Sequence, residues 1–83
     1  MAKTIAWTEQ ARADIRAIDQ QTALRVLRGL ARFVMTGEGD VKRLEDIEPS
    51  EFRLRVGDYR IRYLLRDDCI EILAVKHRRE AYR

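Results

Sequence analysis

The stretch FRLRVGDYRIRY, residues 52–63, sets four arginines on either side of a Gly-Asp pair. A guanidinium is planar, offers five donors and stays charged at physiological pH, so it suits phosphate oxygens and does not suit proton transfer. Gly57-Asp58 between two alternating runs reads as a two-residue hairpin turn, with glycine at the first central position as a type II′ turn prefers. That loop length fixes the register. Val56 falls opposite Tyr59, Arg55 opposite Arg60, Leu54 opposite Ile61, Arg53 opposite Arg62, and Phe52 opposite Tyr63. One face becomes apolar and the other carries Arg53, Arg55, Arg60 and Arg62. Like charges directly opposite each other destabilise a sheet by roughly 0.2–1 kcal/mol per pair. No acid is interleaved in the two runs to offset them. Arginine stems covering a solvated strand surface are one reading. The forced pairing favours the other, a surface that binds anions.

Further along, Ile70–Val75 is almost wholly apolar and suits a central strand. A second tight turn at Asp67-Asp68 sets Leu73 beside Arg62 and Val75 beside Arg60, and projects His77 onto the arginine side. The C-terminal residues 76–83, KHRREAYR, then bring Arg78, Arg79 and Tyr82 to the same surface. Histidine, with an ordinary pKa of about 6.5, is the residue there best matched to acid–base work. Tyr82 either closes the core with its ring or stacks on an RNA base. The carboxylate sets that hold Mg²⁺ and the Cys/His sets that hold zinc are missing from this stretch, so phosphate chemistry here is expected to need no metal and no other cofactor. Arg25, Arg28 and Arg32 form a second row at i, i+3 and i+7 on a helix, either its solvated side or a contact with a large nucleic acid.

The elements that position these residues follow from pattern. Lys3–Trp7 alternates weakly, as a short strand. Thr8 and Asp19 read as helix N-caps. Ala11, Ile15 and Ile18 form one apolar stripe, and Ala23, Leu27, Leu30, Ala31 and Val34 another that runs to about Met35, with Gly37 as terminator. Residues 36–50 read as a loop-rich connection pinned to the core by Leu44 and Ile47. The result is a single α+β domain over residues 1–83: an N-terminal strand, a two-helix hairpin, then a three-stranded antiparallel meander, with the helices on one sheet face.

Composition is consistent with this. Eighty-three residues suit one domain with a modest core. No apolar run approaches the ~20 residues of a membrane span, and the N-terminal residues lack the apolar region of a signal peptide. The single cysteine, Cys69, fits a reducing cytoplasm as a small strand-edge residue. Arginine outnumbers lysine 14 to 3, and the charge is uneven, −1 over residues 1–52 and +4 over residues 53–83. A basic C-terminal half points to a polyanionic partner.

Taken together, the hairpin motif LRVGDYRIRY, the apolar strand and the terminal HRREAY resemble the RelE/ParE superfamily of type II toxins. The order of elements agrees along nearly the whole chain, most specifically from Leu44 to Tyr82. The resemblance to the RelE branch implies an endoribonuclease that cuts messenger RNA in the ribosomal A site. There the ribose 2′-OH attacks the adjacent phosphate and leaves a cyclic phosphate and a 5′-OH. It also implies an antitoxin partner in a hetero-oligomeric complex. By the same resemblance Arg53 and Arg55 match the basic pair of the second family strand, Arg60 the arginine of the third, Arg78 the C-terminal arginine and Tyr82 the terminal tyrosine. With His77, Arg62 and Arg79 added from the reading of the residues themselves, Arg60, His77, Arg78 and Tyr82 are expected in catalysis, and Arg53, Arg55, Arg62 and Arg79 in RNA binding. The alternative is a ParE-like toxin that inhibits DNA gyrase and cuts nothing.

Overall fold

The computed structural model describes residues 4–45 and 50–81. Eight elements follow in order: β1 (Thr4–Trp7), α1 (Glu9–Arg16), α2 (Gln20–Thr36), β2 (Asp40–Glu45), β3 (Ser50–Val56), β4 (Tyr59–Arg66), β5 (Cys69–His77) and α3 (Arg78–Ala81). The helix boundaries are those the caps dictate. The Thr8 hydroxyl accepts from the Ala11 amide and the Asp19 carboxylate from the Thr22 amide. Gly37 closes α2 with φ 77°, a left-handed conformation in which a side chain is strained. Tyr82 and Ile47 lie outside the described residues.

All five strands form one sheet in the order β1-β5-β4-β3-β2. β1 pairs parallel with β5, and every other neighbour is antiparallel. The meander is therefore longer than sequence reading gives it. The supposed connection contains β2, which pairs with β3 at the sheet edge. Leu44, expected to pin this segment to the core, is 40% exposed at a register irregularity, and Val41 packs against the core instead.

One sheet face carries the core. Val26 and Leu30 of α2 and Ala11 of α1 meet Leu54, Ile61, Tyr63, Ile70, Ile72 and Val75. Glycine in the middle of a helix normally weakens it by about 1 kcal/mol. Here a Cβ at Gly29 would stand 2.7 Å from a Val56 methyl, so its absence lets α2 approach β3. Tyr63 stacks on Phe52 at 5.4 Å and meets Phe33 at 5.9 Å, and burial pushes its phenol up to about 12.

β1 is too short to cover the whole of β5. It ends opposite Ile72, and α1 packs against β5. Asp14 of α1 does there what a further strand would do. One carboxylate oxygen accepts the Val75 amide at 2.9 Å, and the other accepts the Lys76 ammonium at 3.0 Å and the Gln10 amide at 2.8 Å. Burial alone would raise this carboxyl. The hydrogen bonds from Val75, Lys76 and Gln10 outweigh it and hold the group below its ordinary 3.8.

Candidate nucleic-acid interface

The β3–β4 register is the one the Gly57-Asp58 turn dictates, residue for residue from Phe52↔Tyr63 to Val56↔Tyr59. Directly paired residues share a face, so Arg53, Arg55, Arg60 and Arg62 converge on the side away from the core. β2 and β5 extend this surface into two transverse rows. Asp40, Arg55, Arg60 and Lys76 are successive partners across four strands, and Lys42, Arg53, Arg62 and Ala74 form the row beside them. Arg60, on the central strand, is only 5% exposed, while the Arg55 side chain is 51% exposed.

Acids outside the two hairpin runs reach this surface from its margins. Glu51 binds Arg62 at 2.8 Å, Glu71 binds Arg66 at 3.2 Å, and Asp40 lies 4.0 Å from Arg55. Asp14 holds Lys76. These carboxylates flank the rows. Among the described residues none is within ion-pair distance of Arg53. Arg62 is engaged at the side of the surface.

The β4–β5 register departs from expectation. A bulge between Arg62 and Tyr63 leaves Leu73 without a partner and slips the second half of β5 by one residue. Arg62 therefore faces Ala74 rather than Leu73, and Arg60 faces Lys76 rather than Val75. A one-residue slip exchanges the two faces. Lys76, which sequence reading did not single out, stands on the arginine surface. His77 is turned to the helix side, paired with Tyr59 and edge-on to its ring at 5.3 Å. It lines a cleft of about 230 Å³ with Thr22, Arg25 and Val26 of α2, Asp58, Tyr59 and two other hairpin residues. The expectation that His77 projects onto the arginine side is corrected by this register.

α3 follows at once. The Arg78 amide donates to the Asp58 carbonyl at 2.7 Å, and the Arg78 guanidinium lies 4.0 Å from the Asp58 carboxylate. Arg78 and Arg79 are exposed. On α2, Arg32 is tied to Glu38 at 2.8 Å, and Arg25 and Arg28 are exposed. Among the described residues no group of three His, Cys, Asp or Glu side chains could hold a metal ion. Within them no helix is long and apolar enough to cross a membrane.

A sheet with two helices on one face and arginine rows on the other can now be set beside known proteins. The profile described as ParE toxin of type II toxin-antitoxin system, parDE, matches residues 5–82. The chain belongs to this toxin family, within the RelE/ParE superfamily. Solved structures agree. In an archaeal RelE–RelB complex from Pyrococcus horikoshii OT3, one chain is 25% identical, with a TM-score of 0.78 over 94% of this chain and 97% of that one. A chain of the RelBE2 toxin–antitoxin complex from Mycobacterium tuberculosis is 24% identical, with a TM-score of 0.78 over 93% and 99%. The YoeB dimer from Staphylococcus aureus shares the fold at 19% identity, with a TM-score of 0.70 over 93% and 98%. The comparison with curated proteins gives no significant match.

Proposed function

We propose that this toxin cleaves messenger RNA on the ribosome, with the arginine surface as its phosphodiester-binding site. The observation that carries the reading is the row Arg55–Arg60–Lys76, three cations side by side on adjacent strands. In-line attack of a ribose 2′-OH on the neighbouring phosphorus concentrates negative charge on the non-bridging oxygens, and preorganised cations stabilise that charge. The 5′-oxygen then departs with a proton, so the products are a 2′,3′-cyclic phosphate and a 5′-OH, and neither water nor metal enters the balance. On this reading Arg60 holds the reacting phosphate, Arg55 and Lys76 flank it, and Arg53 and Arg62 take the adjacent phosphate. Arg78 and Arg79 grip the strand beyond the hairpin tip. With His77 turned to the helix side, the role of proton-transfer group passes to Tyr82.

The partner that silences the toxin is a cognate antitoxin, as in the RelE–RelB and RelBE2 complexes. An acidic segment that folds onto the cationic face would cover the site. The match to the ParE profile favours a second reading, inhibition of DNA gyrase without cleavage. Expression followed by primer extension on cellular mRNA, with plasmid topology measured in the same cells, separates the two. Codon-phased breaks in mRNA with normal supercoiling are the expected result. Intact mRNA with a supercoiling defect or DNA breaks establishes the gyrase reading instead.

A further inference from the structure

His77 has a defined task on the side where the fold places it. Its Nδ1 accepts the Arg79 amide at 3.2 Å. This is the geometry of an N-cap, in which the side chain of the residue before a helix satisfies the amide of the second helical residue. α3 begins at Arg78, so Arg79 holds that second position. An Nδ1 that accepts carries no proton, so the neutral ring holds its hydrogen on Nε2. The ring itself is fixed edge-on to Tyr59 and lines the cleft beneath α2. The turn is secured a second time by the Arg78 amide on the Asp58 carbonyl. Two anchors, the His77 ring at the end of β5 and the Asp58 carbonyl in the hairpin tip, therefore set the first turn of α3, which carries Arg78 and Arg79.

We propose that His77 is a positioning residue that caps α3 and holds Arg78 and Arg79 against the hairpin tip, and that it is not the proton carrier. Its consequence for cleavage rests on the mRNA-cleaving reading, whereas the cap does not. The two ring nitrogens make the test selective, because an asparagine oxygen falls near Nδ1 and a glutamine oxygen near Nε2. In His77→Asn the Arg79 amide should keep its protection from hydrogen exchange. In His77→Gln and His77→Ala it should exchange about fivefold faster, the loss expected for an absent N-cap. Cleavage on programmed ribosomes should follow the same order, with His77→Asn within about threefold of wild type and His77→Gln well below it. If glutamine and asparagine variants lose cleavage equally while Arg79 protection is unchanged in both, the proposal is overturned. If wild-type protein cuts no mRNA, the mRNA reading fails, and Arg79 exchange in the three variants still decides whether His77 is the cap.

Discussion

Replacing Arg60 with alanine is expected to slow mRNA cleavage by about 10²–10³-fold, the usual cost of removing one preorganised donor from a developing oxyanion. Arg60 sits at the crossing point of the site. It is on β4, between Arg55 on β3 and Lys76 on β5, and it is the least exposed of the arginines on this face. A guanidinium fixed there is already oriented before substrate arrives and spends little of its interaction energy on ordering. Arg60→Lys should recover part of the rate, because it restores charge without the planar fork. Single-turnover cleavage on programmed ribosomes measures this, with far-UV circular dichroism to confirm the fold. An Arg60→Ala rate within threefold of wild type would remove the central residue of the proposed site.

Asp14→Ala should have the largest effect on stability of any single polar substitution in α1. The side chain is 8% exposed and satisfies the Val75 amide and the Lys76 ammonium together. Removing it leaves an amide and a cation without their acceptor, at about 2–3 kcal/mol. For a domain this small that is a fall in Tm on the order of 10–15 °C. Asp14→Asn keeps an acceptor for Val75 and loses the charge, so about half the effect should remain. The pH dependence has a fixed sign. The carboxyl is held below its ordinary 3.8 in the fold, so its contribution is complete above that value and is lost as pH falls through the folded-state pKa. The gap in Tm between wild type and Asp14→Asn should therefore be widest near neutrality and shrink on acidification towards pH 3 and below. A gap that grows on acidification, or an Asp14→Ala protein as stable as wild type, contradicts the clasp.

The parts of this architecture legible in the sequence are those with local rules. Thr8, Asp19 and Gly37 mark the helix ends because their side chains or backbone freedom satisfy terminal groups. The β3–β4 register could be read because a two-residue turn and strict alternation leave a single pairing. What escaped lacks such rules. β2, DVKRLE, is a charged edge strand in which Val41 packs against the core while Arg43 shares its face and Leu44 is exposed, so it reads as loop. The bulge in β5 is invisible because Ile70–Val75 is apolar on both faces, and a run without alternation carries no phase. That one residue of slip moved His77 off the arginine surface and put Lys76 on it. Asp14 looks like any polar residue on a helix until β1 proves too short to cover the edge of β5.

The claim on which the functional account depends is that the sheet face, not the helix face, meets RNA. Ribosomes programmed with a defined message, incubated with purified protein and mapped by primer extension, test it directly. Three proteins suffice: wild type, the Arg53→Ala/Arg55→Ala double variant, and Arg25→Ala/Arg28→Ala on α2. The account predicts a cut in the A-site codon from wild type and from the α2 variant, and almost none from the sheet-face variant. Cleavage that survives loss of Arg53 and Arg55 but disappears with Arg25 and Arg28 would contradict it.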